Sequence, residues 1–293
     1  MKFTKMHGAG NDYIYINCLD CKIDDPSSLA LKLSDRHFGI GADGLVLIQT
    51  SKAADFYMRM FNADGSEGSM CGNAIRCVAK YVYDNKLTKK LKLNIETKSG
   101  IKHLVLFTGI DGLVEAVEVD MGTAYLKRKE IPMIFDNTNK DETFINKPIL
   151  VAEKEYNATC VSMGNPHCII FMNDKKNKTN LEQSLDFLDL DKIGPAFEKH
   201  PMFPDRINTE FVEVIDKNNL KMRVYERGSG ETLACGTGAC AIVVAAVLNG
   251  ICKRNQKVSV ILRGGILEVT YLDDGRVILK GEAVHVFDTE INI

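Results

Sequence analysis

The chain has 293 residues, 45% hydrophobic and 26% charged, with a formal net charge of -2 at neutral pH. That is ordinary globular composition with length for two domains, and with no long run of either sign it argues against nucleic acid or an anionic membrane as partner, leaving small molecules and other proteins. No stretch reaches the roughly 20 apolar residues of a membrane helix, and the N-terminus lacks a signal-peptide core, so a soluble cytoplasmic protein with reduced cysteines is expected.

In chain order, Met6-His7-Gly8-Ala9-Gly10-Asn11 opens the sequence. Cys18 and Cys21 form a C-x-x-C, but no second C-x-x-C or H-x₃-H follows, so no metal is expected. With Cys160, Cys168 and Cys252 they read as small buried side chains. Pro26 after Asp25 starts a helix running to about Arg36. Phe38 to Asp43 is Gly-rich. Met58 to Gly72 reads as a strand, a Gly/Ser loop, then Cys71-Gly72 opening a helix. That helix carries apolar residues at Ala74, Cys77, Val78, Tyr81 and Val82 and ends near Asp84. Leu91 to Ile95 and Leu113 to Val119 alternate as strands.

The polar stretch Asp136 to Lys147 links or decorates the domains, and Lys175 to Asn180 reads as an exposed loop. Met163-Gly164-Asn165-Pro166-His167 lies between them. A helix follows over Asp189 to Lys199, then Phe203-Pro204-Asp205-Arg206-Ile207-Asn208. Gly236 to Leu248 is apolar nearly all round, with Asn249-Gly250 as a stop, so it must be a buried helix. Ile266 to Tyr271 and Val277 to Lys280 are short strands. A last strand within Ala283 to Ile293 is expected to return to the first domain.

Part of this sequence occurs twice. Met58 to Gly72 aligns without a gap on Met222 to Gly236, with Met, Arg, an aromatic, Glu, Cys and Gly coinciding. Upstream, Phe38 to Asp43 matches Phe203 to Asn208, and Met6 to Asn11 faces Met163 to His167. Three matches in one order point to an old duplication. The expected fold is α/β of the α+β type: two similar domains, each a mostly antiparallel, barrel-like sheet around a central helix. The boundaries are residues 1–123 plus about 283–293 for the domain with Cys71, and 124–282 for the domain with Cys235.

Each cysteine stands where a helix begins. Unpaired N–H groups and the helix dipole there favour a thiolate and can hold a carboxylate, and Gly72 and Gly236 let a ligand approach the backbone. Two such units suit the inversion of a stereocentre, one thiolate removing a proton and one thiol delivering another. Helix termini aimed at the neighbouring carboxylate would stabilise the enolate-like charge. No phosphate-cradling loop with a companion lysine is evident, so no cofactor is expected. Cys71/Cys77 and Cys235/Cys240 could instead be redox pairs, but Cys77 and Cys240 do not match in the repeat.

At these residues the sequence resembles the diaminopimelate epimerase family. The resemblance lies in Asn62 to Glu67 with Met70 to Cys77, in Glu226 to Thr232 with Ala234 to Gly238, in Lys5 to Asp12, in Gly164 to His167, and in Phe203-Pro204 with Asn208. It implies cofactor-independent interconversion of LL- and meso-diaminopimelate, in lysine and peptidoglycan precursor biosynthesis. It also implies two domains with the site in the cleft between them, and a homodimer. By that resemblance Cys71 and Cys235 are the bases. The N–H groups of Gly72, Asn73, Gly236 and Thr237 bind the reacting carboxylate. Asn11, Asn62, Asn165, Asn208, Glu226 and Arg227 hold the distal amino-acid end, and His167 is auxiliary. One departure is Gly44, where some relatives carry a glutamine that touches substrate. The rivals are a racemase of another amino acid such as histidine or proline, a non-racemising isomerase as in phenazine biosynthesis, which lacks the paired cysteines, and a thiol redox protein.

Overall fold

The computed structural model describes residues 1–134, 141–174, 177 and 184–291. The chain divides into two compact units, Met1–Asp120 with Lys280–Ile293, and Met121–Leu279. The first holds β1 (Lys2–Gly8), β2 (Asn11–Asn17), α1 (Pro26–Ser34), β3 (Gly44–Gln49), β4 (Phe56–Asn62), β5 (Glu67–Gly68), α2 (Gly72–Asp84), β6 (Lys92–Thr97) and β7 (Gly100–Thr108). The chain leaves it along β8 (Val114–Thr123). The second holds β9 (Lys147–Val151), β10 (Lys154–Ser162), β11 (Pro166–Phe171), α3 (Leu190–Glu198), β12 (Asn208–Asp216), β13 (Asn219–Glu226), β14 (Gly230–Thr232), α4 (Gly236–Leu248), β15 (Lys257–Leu262) and β16 (Gly265–Tyr271). β17 (Arg276–Glu282) leads back, and β18 (Val284–Glu290) pairs antiparallel with β1.

Strand pairing repeats between the units. β1–β2 is antiparallel, β2–β3 parallel, β3–β4 antiparallel and β4–β6 parallel. In the second unit β10–β11, β11–β12, β12–β13 and β13–β15 follow the same alternation. Each sheet is therefore mixed, with antiparallel pairs dominant. β9–β10 stands where β18–β1 stands in the first unit.

One helix packs on each sheet. α2 lies against β1, β2 and β7, and α4 against β10, β11, β12 and β16, which are equivalent positions. α4 is buried without a break from Gly238 to Ala246, as a helix apolar on every side must be. β3 and β11, each contacting a parallel and an antiparallel neighbour, are buried on both faces, so their residues run apolar rather than alternate. Half-covered β15 and β16 alternate instead.

Three local expectations need correction. The first helix ends at Ser34, not near Arg36, because the Asp35 carboxylate accepts the His37 and Phe38 N–H groups at 2.7 and 2.8 Å and turns the chain. Cys21 is exposed, while Cys18, Cys160, Cys168 and Cys252 are buried. Asn177, placed in an exposed loop by the sequence, is buried; its amide donates to the Asn157 and Phe171 carbonyls at 2.9 and 3.0 Å and accepts the Asn157 N–H. The rest of Lys175 to Asn180, and residues 136–140 of the expected linker, lie outside the described residues.

Candidate active site

The repeated motif forms the same object twice. In each unit a strand turns through a tight hairpin into a short return strand, and an extended cysteine then caps a 13-residue helix. The repeated Arg and Glu staple the hairpin. Arg59 Nε donates to Glu67 Oε1, and Arg223 Nε to Glu231 Oε1, both at 2.7 Å. Cys71 and Cys235 are the N-caps: their sulfurs accept the N–H of Ala74 at 3.5 Å and of Gly238 at 3.3 Å. The N–H groups of Gly72 and Asn73, and of Gly236 and Thr237, have no partner within the helix. Cys77 and Cys240, which a redox reading needs, are buried along the helices.

Around Cys71 the first unit gathers amides. The sulfur donates to Asn11 Oδ1 at 3.4 Å, and Asn73 Nδ2 donates to the same oxygen at 3.3 Å. Asn11 is oriented by donating its own Nδ2 to Asp43 Oδ2 at 2.7 Å. Behind them Arg76 is fully buried, donating to Gly72 O, Asn73 Oδ1 and Glu282 O at 3.0, 2.9 and 3.2 Å. Gly8 makes room for it, since a Cβ there would sit 2.8 Å from the guanidinium. Asp12 bonds Arg36 and Lys5; burial would raise its pKa, but those two cations outweigh burial and hold it below the usual carboxylate range. Asp43 is pushed upward by burial and by the Asp12 charge. Asn62 bonds Ser66 Oγ rather than the cysteine.

Around Cys235 the second unit gathers carboxylates. Thr237 Oγ1 lies 3.4 Å from the sulfur and accepts Asn165 Nδ2 at 3.2 Å. Asn165 Oδ1 faces His167 Nε2 at 3.1 Å, and His167 Nδ1 meets Glu210 Oε1 at 2.6 Å, with His167 and Glu210 both fully buried. The second oxygen of Glu210 has no hydrogen-bond partner among the described residues. Glu226 accepts Thr232 Oγ1 at 2.5 Å and is pushed upward by burial. The helix-start argument expects an acidic thiol. At Cys235 burial, followed by the Glu226 and Glu210 charges, outweighs the Thr237 and Gly238 hydrogen bonds and pushes the thiol well up. Asn208 Oδ1 accepts the Arg227 N–H at 2.9 Å, and the Arg227 guanidinium donates to Asp205 O at 3.1 Å.

Strand register sharpens the repeat. Tyr13 pairs with Gly44 and Gly44 with Asn62. His167 pairs with Asn208, and Thr209 with Tyr225, which sets Asn208 opposite Glu226. The equivalent of Asn208 is therefore Gly44, not Asp43 as the sequence match suggests. Asn11 matches Asn165, Tyr13 matches His167, Asn62 matches Glu226, Asn73 matches Thr237, Val46 matches Glu210 and Ala74 matches Gly238. Sequence reasoning did not single out Tyr13, Arg76 or Glu210. Arg76 and Glu210 were the findable ones, each a charge inside a segment otherwise read as buried.

A sequence profile described as diaminopimelate epimerase matches residues 3–127 and 159–286. A diaminopimelate epimerase of Acetivibrio thermocellus is 53% identical over all of this chain and 99% of its own length. One of Methanococcus maripaludis is 52% identical over the full length of both. Among solved structures, a phenazine biosynthesis protein of the PhzF family from Bacillus anthracis superposes with a TM-score of 0.65 at 15% identity, covering 100% of this chain and 99% of that one. At that identity the likeness speaks for the fold, two similar domains built mainly of sheet.

Proposed function

The chain belongs to the diaminopimelate epimerase family and is an isomerase, and on that premise we propose that it interconverts LL- and meso-diaminopimelate with Cys71 and Cys235 as its two bases. The observation that carries this reading is the pair of cysteines, each the N-cap of a helix and each accepting that helix's third N–H. One sulfur, as thiolate, removes the α-proton. The other, as thiol, delivers a proton to the opposite face, and the roles exchange in reverse. The N–H groups of Gly72, Asn73, Gly236 and Thr237 take the α-carboxylate and stabilise the charge that develops on it, so the reaction proceeds without a cofactor.

Asn11, Asn62, Asn165, Asn208, Glu226 and Arg227 hold the distal ammonium and carboxylate, which need acceptors and a guanidinium together. His167 orients Asn165, which in turn holds Thr237 beside Cys235. The product feeds lysine and peptidoglycan precursor synthesis, and the working form is a cytoplasmic homodimer. The test is incubation with LL-diaminopimelate in deuterated water. Deuterium at the α-carbon and a chromatographically resolved meso product are expected. Exchange with histidine or proline, and none with diaminopimelate, would replace the substrate assignment.

A further inference from the structure

Tyr13 is the one side chain beside Cys71 that the proposed mechanism leaves without a task. It sits in β2, 5% exposed, at the position that His167 takes in the second unit. Its ring occupies the space over Gly44. A Cβ at Gly44 would lie 2.8 Å from Tyr13 Cε1 and 2.1 Å from the Phe61 carbonyl oxygen, so no side chain fits at position 44 while the ring is there. The hydroxyl reaches the Cys71 side chain in a hydrogen bond and has Asn11 as a second neighbour. Burial, then the charges of Cys71 and Asp43, push the phenol well above its ordinary range, so it remains a proton donor wherever the enzyme works.

We infer that Tyr13 is a positioning residue for Cys71: its hydroxyl donates to the sulfur and favours the thiolate, and the glycine at position 44 exists to admit its ring. The inference rests on the proposed role of Cys71 as a base. A hydroxyl donor strengthens its bond as the sulfur gains charge. The Ala74 N–H does the same from α2. The other titratable or charged groups around the sulfur are Tyr15 from β2, Cys77 and Arg76 from α2, and Asp43, reached through Asn11 and Tyr13. Burial pushes Tyr15 well up and the Cys77 thiol to about 11, so neither is a competing anion near neutral pH.

The test is Tyr13→Phe, which keeps the ring over Gly44 and removes only the hydroxyl. Cys71 is partly exposed, so its alkylation by iodoacetamide can be followed against pH by peptide mass spectrometry on the substrate-free protein. The half-point is expected to rise by about one pH unit, with about tenfold slower labelling below it. For diaminopimelate, kcat/KM should fall about tenfold in both directions with KM within twofold, since the loss is in proton transfer and not in binding. A labelling profile that superposes on the wild type overturns the inference. So does a shift seen only in Tyr13→Ala, which removes the packing as well. Labelling needs no substrate, so it decides the role of Tyr13 even if the chain acts on another amino acid.

Discussion

The two cysteines occupy the same place in the same motif, yet their neighbourhoods differ in kind. Cys71 has a phenol, two amides and a buried guanidinium one turn along its helix. Cys235 has two carboxylates, one paired with a histidine. A duplication conserves the geometry of a cap, because capping depends on backbone position. It does not conserve acidity, which depends on what is packed behind. The arrangement leaves Cys71 the better thiolate and Cys235 the better thiol, and a two-base reaction needs one of each.

The largest effect tests whether both cysteines matter equally. Cys71→Ser and Cys235→Ser are each expected to lower epimerisation by about 10³-fold or more, read as α-deuterium incorporation. One variant with near-wild-type exchange would end the two-base reading. The next effect concerns the third helical residue. A Cβ at Gly238 would meet Glu210 Oε1 at 2.7 Å and the Cys235 sulfur at 3.3 Å, and Glu210 is held by His167. The first unit has Ala74 at the matching position, with Val46 where Glu210 stands. Gly238→Ala should therefore cost about 2 kcal/mol of stability by overpacking, visible as a lower melting temperature, and a neutral result would mean that Glu210 moves freely.

A third test uses pH. The Cys235 thiol is raised in the folded state, so the unfolded chain releases its proton first as pH climbs. The stability this thiol contributes is whole below its ordinary value of 9.0 and is lost as pH rises through the folded value. Melting temperature above pH 9 should thus decline less steeply in Cys235→Ser than in the wild type, by up to about 1.4 kcal/mol per pH unit. Parallel declines would contradict the buried-thiol assignment. The smallest contrast lies between the two hairpin staples. Arg223 and Glu231 are 11% and 14% exposed, against 28% and 24% for Arg59 and Glu67, and Arg223 also donates to the Leu185 and Leu188 carbonyls at 2.8 and 2.6 Å. Arg223→Met should cost about 1.5 kcal/mol and Arg59→Met about 0.5 kcal/mol by chemical denaturation.

The four helices were readable because their signals are local. Asp25-Pro26, the two Cys-Gly starts and Asp189 are caps, and the last two turns of α4 are bounded by Asn249-Gly250. Alternating strands such as β6 and β15 are readable in the same way, while β3 and β11, apolar on both faces, lack the alternation that would announce them. The cysteines were readable through the ungapped repeat. Their partners were not: Tyr13 reaches Cys71 from 58 positions upstream, and Glu210 reaches His167 across 43. Those pairings follow strand register, which no short window of sequence contains.

The strand β18 has a consequence for how the chain comes to be folded. It pairs with β1 from Lys2–Glu290 to His7–Val284, and Thr4 donates to Asp288 at 2.6 Å across 284 positions. The second unit is one continuous run, whereas the first is split around it. During synthesis the earlier-made unit must hold an unfinished edge while the later-made one has everything it needs. The loop closed by β1 and β18 is among the most entropically expensive contacts in the chain, so its formation is expected late and slow. Until then the β1 edge offers open backbone to any strand that meets it, making the nascent first unit the place where aggregation would begin.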